Sequence, residues 1–430
     1  MKKRVAIPMY FCYGKNNDRD LNMKNPILYQ KKSEGSRRPL GIYLHIPFCI
    51  RKCLYCDFLS APSDEVTREK YVNALLAEID AQAPLYEGFQ VRTVFFGGGT
   101  PSLLTEGQTA ALLERLYRRF SFAPENDLEI TLEANPGTLT EEKLRAWKRS
   151  GVNRLSIGLQ SAHDEELRIL GRIHTWEDFL HGYDAARRAG FSDLNIDLMS
   201  SLPGQSVESW MDTLEKTASL EPEHISAYSL IIEEGTPFYD WYGPHSVLPE
   251  GRRPLPSEEE DRLMYERTGE FLKQKGYGRY EISNYARQGF ACRHNLSYWE
   301  RTDYAGFGLG AASLRENVRW SNTTDMACYL AHSGEPGEET ALKRDLSRLS
   351  VQEQMEEYMF LGLRKTEGVS ADVFECLYGQ PLEQIYGQAV KRLIKEGLLV
   401  RYRKENGELF FRLSNRGIDV SNHVLAMFLF

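Results

Sequence analysis

The chain has 430 residues, 42% apolar and 27% charged, which is enough apolar material for one large domain plus a smaller one. Its net charge of −8 is unevenly spread: residues 1–38 hold ten Lys and Arg against three Asp and Glu, a surplus of seven, so the remainder stands at −15. An acidic body argues against general nucleic-acid binding, no apolar run approaches the ~18 residues of a membrane span, and no secretory leader is recognisable, so the cytoplasm is the expected location.

In chain order, residues 1–38 mix basic, Asn and Gly residues without a sustained period and read as a disordered extension. From Gly41, β-branched and aromatic runs alternate with amphipathic stretches, the pattern of parallel strands joined by crossover helices. Strands are expected over 42–46, 91–96, 128–133, 154–158, 194–198 and 225–230. In the first intervening helix, Tyr71, Val72, Leu75, Leu76 and Ile79 share one face, which should pack on the sheet and leave Arg68, Glu69 and Glu78 in water. Six βα units fall short of a closed eight-unit barrel, and 233–256 reads as a Pro- and Gly-containing excursion. The expected fold class is therefore α/β, an incomplete barrel over 39–330 that is open on one side.

The texture then changes. Helices are expected over 351–363 and 382–396, followed by a hairpin of 398–402 and 409–413 turning at Asn406-Gly407, which together predict a small winged-helix-like domain over 340–430. Lys391, Arg392, Lys395, Arg401 and Arg403 read as the solvated face of this domain rather than a nucleic-acid surface.

Seven cysteines, three of them crowded into 49–56, suit a reducing compartment with a metal site better than a disulfide framework. HIPFCIRKCLYCDF sets Cys49, Cys53 and Cys56 at C-x3-C-x2-C spacing just after the first strand, where one loop can wrap three thiolates around a metal centre. A [4Fe–4S] cubane held by three thiolates keeps one iron open, and the amino and carboxylate groups of S-adenosylmethionine (SAM) can chelate it. A structural zinc would want a fourth Cys or His nearby, and DFLSAP supplies none. Cys12, Cys292, Cys328 and Cys376 read as isolated thiols. At the second strand end, GGGTPS offers the backbone of Gly98 and Gly99 to the methionine amine. Glu133, Gln160 and Asp197 at later strand ends, with Arg172 in LGRIHT, read as one lined site.

YLHIPFCIRKCLYCDF, GGGTPS, LEANPGT, GVNRLSIGLQS, LGRIHT and LPGQ together resemble the oxygen-independent coproporphyrinogen oxidase-like radical SAM proteins, from about Leu40 to the C-terminus. The resemblance implies a partial (β/α)6 radical SAM barrel with a C-terminal helical domain, and Tyr43, Tyr55, Gly98, Gly99, Thr100, Glu133, Gln160, Arg172 and Asp197 around SAM. In the oxidase the cluster motif continues to a fourth cysteine. Here that position is Phe58, as in the haem-chaperone branch of the family, and the oxidase's N-terminal segment is unrecognisable in residues 1–38.

HNLSYW, at 294–299, resembles the element associated with haem binding in that branch: His294 can ligate iron, while Tyr298 and Trp299 offer flat apolar faces. FGLGAAS, at 307–313, also matches, its glycines serving either an adenine or a tight turn. The function implied first is a haem chaperone that binds a [4Fe–4S] cluster, SAM and haem and passes haem to haemoproteins, membrane-associated respiratory enzymes and a homodimer being among the expected partners. The alternative is coproporphyrinogen III dehydrogenase, an enzyme that decarboxylates two propionates through a 5′-deoxyadenosyl radical. Both readings use the same three cysteines, and no catalytic residue is assigned.

Overall fold

The computed structural model describes residues 37–429, so Cys12 and all but the last two residues of the expected extension lie outside the described residues. Six parallel strands stand side by side in sequence order: β1 (Arg38–Ile46), β2 (Phe89–Gly98), β3 (Glu129–Ala134), β4 (Arg154–Gln160), β5 (Leu194–Ser200) and β6 (His224–Ser229). They are joined by α1 (Glu65–Gln82), α2 (Glu106–Arg119), α3 (Glu141–Arg149), α4 (Asp164–Ile169), α5 (Trp176–Arg188) and α6 (Val207–Ser219). All six strands read from the sequence are present, in the expected incomplete barrel.

Along these strands the side chains alternate between two environments. Ile42 and Leu44, Ile130 and Leu132, Leu155 and Ile157, and Ile196 and Leu198 belong to a single apolar core. The alternate positions are largely polar and bond to one another across strands. Asn195 Nδ2 donates to Ser156 (2.7 Å) and to Asp197 (2.8 Å), Ser226 donates to Asn195 (3.1 Å), and the His224 ring lies 2.6 Å from Asn195 Oδ1. The lumen of this barrel is thus a hydrogen-bonded interior, each strand having one apolar and one polar face.

After β6 come α7 (Pro237–Tyr242), within the expected excursion, and α8 (Glu258–Gln274). Then follow β7 (Gly278–Arg279), β8 (Asn284–Ala286), α9 (Arg293–Trp299), β9 (Tyr304–Phe307), β10 (Ala312–Arg315), β11 (Val318–Asn322), α10 (Met326–His332) and β12 (Lys343–Arg348). β9 pairs parallel with β1 and β8 pairs antiparallel with β6, so the full sheet reads β12-β11-β10-β9-β1-β2-β3-β4-β5-β6-β8-β7.

The C-terminal part gathers a second core around Met359, Phe374, Leu393, Phe411 and Phe428. It comprises α11 (Val351–Gly362), β13 (Val369–Ser370), α12 (Ala371–Tyr378), α13 (Leu382–Lys395), β14 (Leu399–Arg403), β15 (Leu409–Leu413), α14 (Asn415–Asp419) and α15 (Ser421–Ala426). α11 starts at a capping box in which the Ser350 hydroxyl accepts from Glu353 N and the Glu353 carboxylate accepts from Ser350 N. The β14–β15 hairpin turns at Asn406-Gly407, with φ +86° at Gly407, and completes the predicted winged-helix-like arrangement.

One expectation is overturned. Glu78, read as a solvent-facing residue of α1, is 2% exposed. α10 and the β9–β10 connection cover that face of α1, and the Glu78 carboxylate accepts from Tyr329 (2.7 Å), Gly308 N (2.8 Å) and Asn322 (2.6 Å). The FGLGAAS glycines serve this junction: a Cβ on Gly306 would lie 2.1 Å from the Ala312 carbonyl, and one on Gly308 (φ +104°) 2.5 Å from the Tyr71 hydroxyl. The tight-turn reading accounts for both.

Burial pushes the Glu78 carboxyl up from 4.5 to about 7. The folded chain therefore binds this proton more tightly than the unfolded one, so the stability it contributes is full below about pH 4.5 and falls as the pH rises to about 7. Glu78→Gln should remove that loss, worth up to about 3 kcal/mol. In urea unfolding between pH 5 and 8, the variant is expected to gain on the wild type as pH rises; parallel pH profiles would refute the assignment.

Candidate functional site

The C-terminal ends of the strands converge beneath the loop that carries the three cysteines. That loop is closed at its base by Cys49 N donating to Ala61 O (3.1 Å) and Ala61 N to Pro47 O (3.0 Å). The His45 ring meets Leu59 O at 2.8 Å, Leu54 N donates to Leu170 O (3.0 Å), and Phe238 N donates to Leu54 O (3.1 Å). Strand β1, the turn after α4 and the start of α7 thus fix the loop through its backbone, leaving the thiols free for other work.

Thr100 Oγ1 lies 3.6 Å from Cys49 Sγ, and an Arg172 guanidinium nitrogen 3.6 Å from Cys53 Sγ. Burial pushes the Cys56 thiol up to about 11, and the nearby Cys53 and Cys49 reinforce the shift. A cationic centre beside Cys56 would offset this shift and favour the thiolate. Among the described residues no three His, Cys, Asp or Glu side chains close around a single ion. A cubane asks for a wider set, because each thiolate binds a different iron. Phe58 is 58% exposed.

Below the loop, Asn135 knits three strand ends together. Its Nδ2 donates to Thr100 Oγ1 (2.8 Å), its Oδ1 accepts from Arg172 (2.7 Å), and its backbone N–H donates to Ser102 Oγ (3.2 Å). Arg172 also donates to Gly158 O (2.6 Å), yet its Nε is buried without a partner, as is Oε1 of Gln160. Gln160 adopts φ +67°, beside a bulge in the β4–β5 pairing, a strained placement for a non-glycine residue at a strand end.

Glu133 accepts from Gly98 N (3.2 Å), and its carboxyl is pushed up to about 8 by burial and by the charge of Asp197. Asp197 is likewise raised by burial, although Ser156 and Asn195 donate to it. Two carboxylates whose ionisation burial disfavours, an orphaned carbonyl and an orphaned guanidinium nitrogen stand at these strand ends, a set suited to an ammonium, hydroxyls and a carboxylate. These are the groups of a nucleoside-bearing amino acid.

The glycines also have a packing role. A Cβ on Gly98 would fall 2.5 Å from the His45 ring, and one on Gly99 2.6 Å from Phe48 O. Close packing of β2 against β1 already demands them, whatever ligand their backbone serves. Tyr43 bonds His45 Nδ1 (3.0 Å), and Tyr55 packs against Phe238 with ring centroids 6.3 Å apart. The expected SAM residues therefore share one end of the barrel. Three residues that sequence reasoning missed lie among them: His45 bonds Tyr43, Asn135 bonds Thr100 and Arg172, and Tyr228 stands near Asp197, Tyr55 and Arg172. For His45 the signal was its strand parity with Tyr43; for Asn135 it was its position in LEANPG.

The HNLSYW residues lie elsewhere. α9 enters the barrel from the opposite end, its first backbone N–H groups capped by Glu129, which accepts from Arg293 N (2.8 Å) and His294 N (3.0 Å). Glu129 precedes Glu133 on β3 by four residues, a rise of about 13 Å. His294 is 1% exposed and stacks on Phe95, with both ring nitrogens engaged, Nδ1 by Thr93 Oγ1 (2.8 Å) and Nε2 by Tyr298 (3.0 Å). Burial pushes its imidazole down to about 3, so the ring is neutral. Trp299, at the far end of α9, lies under the Arg364 guanidinium at 5.1 Å. His294 and Tyr298 therefore plug the barrel floor, and Trp299 reaches the C-terminal domain.

The family description "Radical SAM superfamily" matches residues 43–217, and "HemN C-terminal domain" matches 349–418. The haem chaperone HemW of Bacillus subtilis is 37% identical over 388 residues, covering 90% of this chain and 98% of that protein. The chain belongs to the HemW family. HemW of Lactococcus lactis is 35% identical over 397 residues, again covering 98% of that protein. Membership of the radical SAM superfamily brings a [4Fe–4S] cluster and SAM as the cofactors of the HemW barrel. The coproporphyrinogen III oxidase HemN of Escherichia coli superposes with a TM-score of 0.76 over 92% of this chain and 91% of that one, at 24% identity, which establishes a shared fold. No helix among the described residues is long and apolar enough to cross a membrane.

Proposed function

We propose that this HemW-family protein is a cytoplasmic haem carrier that hands haem to haemoproteins, membrane-associated respiratory enzymes and a second copy of the chain being its candidate partners. The observation that carries the reading is the relationship to haem chaperones over nearly their whole length. Phe58, exposed where the oxidase motif has its fourth cysteine, points the same way.

In this reading Cys49, Cys53 and Cys56 hold the cluster. Glu133 receives the amine of SAM, Arg172 faces its carboxylate, and Asp197 and Gln160 take hydroxyl or amide groups. Tyr43, Tyr55 and the Gly98–Gly99–Thr100 backbone close the pocket. Cluster and SAM, when bound, supply electron transfer to the sulfonium. The raised Glu133 carboxyl would gain from bound SAM a cationic neighbour that favours its ionised form, and Arg172 lies against Cys53 while donating to Asn135.

Anaerobic reconstitution followed by haem titration tests the function. The expected result is saturable binding of about one haem per chain, read from the Soret band. A reconstituted protein that keeps no haem would overturn the carrier reading, and one that converts coproporphyrinogen to protoporphyrinogen would establish the dehydrogenase in its place.

A further inference from the structure

Away from the cysteine loop, the barrel and the C-terminal domain meet around a cavity of about 320 Å³, within the range of small-ligand sites. The β7–β8 turn forms one wall, and the segment after α11 with the β15–α14 junction forms the other. The two walls are tied directly by Thr366 N donating to Tyr280 O (3.0 Å) and by a bridge between Glu281 and Lys365.

Four cations line this cavity. Arg279 comes from the barrel, and Arg364, Lys365 and Arg412 come from the C-terminal domain. Lys365 is paired with Glu300 at 3.1 Å. Of the three arginines, Arg364 lies over Trp299 and has the Glu281 carboxylate near it, whereas Arg279 donates to the Tyr265 hydroxyl (2.9 Å) and Arg412 lies over the Tyr402 ring (4.9 Å). Nε of Arg364 is buried without a partner, and burial disfavours its charge. The one acid in the wall, Glu281, accepts from Ser283 N (2.9 Å) and also acts on Arg364. Ile282 and Leu413 add apolar surface beside these charges.

A surplus of cations drawn from two domains, with Arg279 and Arg412 set against neutral neighbours and apolar side chains beside them, suits a flat apolar molecule with two separate carboxylates better than one compact anion. We propose that this interdomain cleft is the haem site, its arginines receiving the two propionates. The proposal rests on the haem-carrier reading and gives it a place. It also divides the HNLSYW element between two tasks: the His294 end seals the barrel, and the Trp299 end supports a cation of the cleft. Haem in this cleft would touch both domains at once and hold them together.

The test uses the reconstituted full chain. In the double variant Arg364→Met/Arg412→Met, haem affinity is expected to fall by roughly tenfold or more, with cluster absorbance and melting temperature retained. On the wild type, which needs no substitution, metal-free protoporphyrin IX should displace haem and its dimethyl ester should not. Unchanged haem affinity in the double variant, an ester that competes as well as the free acid, or displacement by inorganic pyrophosphate with protoporphyrin inert would each overturn the proposal while leaving haem carriage intact. A wild type that binds neither haem nor protoporphyrin would overturn both.

Discussion

Cys53→Ser is expected to abolish the broad iron–sulfur absorption near roughly 400 nm in the reconstituted protein while leaving its far-ultraviolet circular dichroism unchanged. The loop does not depend on the thiol for its shape. Backbone bonds from Cys49 to Ala61, from Leu54 to Leu170 and from Phe238 to Leu54 hold it, and the Cys53 sulfur lies 3.6 Å from Arg172. Serine is smaller by little and keeps an acceptor for Arg172, but its alkoxide is not available at neutral pH, so one of three iron ligands is lost. Cluster absorbance retained at wild-type strength would contradict the ligand assignment. Loss of the cluster together with loss of helix content would instead mean that the thiol itself has a structural role.

Glu357→Met is expected to lower the free energy of unfolding by about 3–5 kcal/mol. Glu357 lies on α11, at the inner side of the C-terminal domain, and its two oxygens accept from Arg301 (2.9 Å) and Arg319 (2.6 Å) of the barrel. The Glu357 side chain is 5% exposed and that of Arg301 is 9% exposed, so removal of the carboxylate strands a buried cation at the junction. Asn317 Oδ1, 3.1 Å from Arg301, is a neutral acceptor and replaces little of the lost attraction. The check is urea unfolding at neutral pH, monitored separately by tryptophan fluorescence and by circular dichroism. Arg301→Met combined with Glu357→Met should recover part of the loss, because the stranded charge goes with its partner. A single-variant loss under about 1 kcal/mol would show that the triad adds nothing to domain attachment.

These residues mark the boundary of what local pattern can reveal. The six barrel strands were legible because each carries β-branched or aromatic residues bounded by Gly, Pro or polar turns, and the hairpin was legible from Asn406-Gly407. The strands β7–β12 were not, since they have two to six residues and owe their pairing to the sheet they join. Glu78 was misplaced for the same reason: a helix face shows its own period and not the later α10 that covers it.

At the site, the cysteine spacing and the glycine run were local and readable. Asn135 was not, because its partners Thr100 and Arg172 lie 35 and 37 residues away in the chain. His294 is the sharpest case. An imidazole beside two aromatics suggests a haem ligand, while the group that occupies its Nδ1 is Thr93, 201 residues earlier. Only the folded chain shows that both nitrogens are engaged.

The way the incomplete barrel is finished at its sides bears on how the protein behaves at high concentration. Six strands that stop short of closure leave two rows of unpaired backbone groups, at β1 and β6, and such rows recruit further strands from other chains. Here the chain covers both itself. The boundary of the sheet is moved outward to β7, two residues long, and to β12, whose sequence KRDLSR is charged and largely solvent-facing. A two-residue border gives an incoming strand almost nothing to pair with, and a charged one penalises its approach. The barrel can therefore keep an open mouth for its ligands without exposing a template for aggregation.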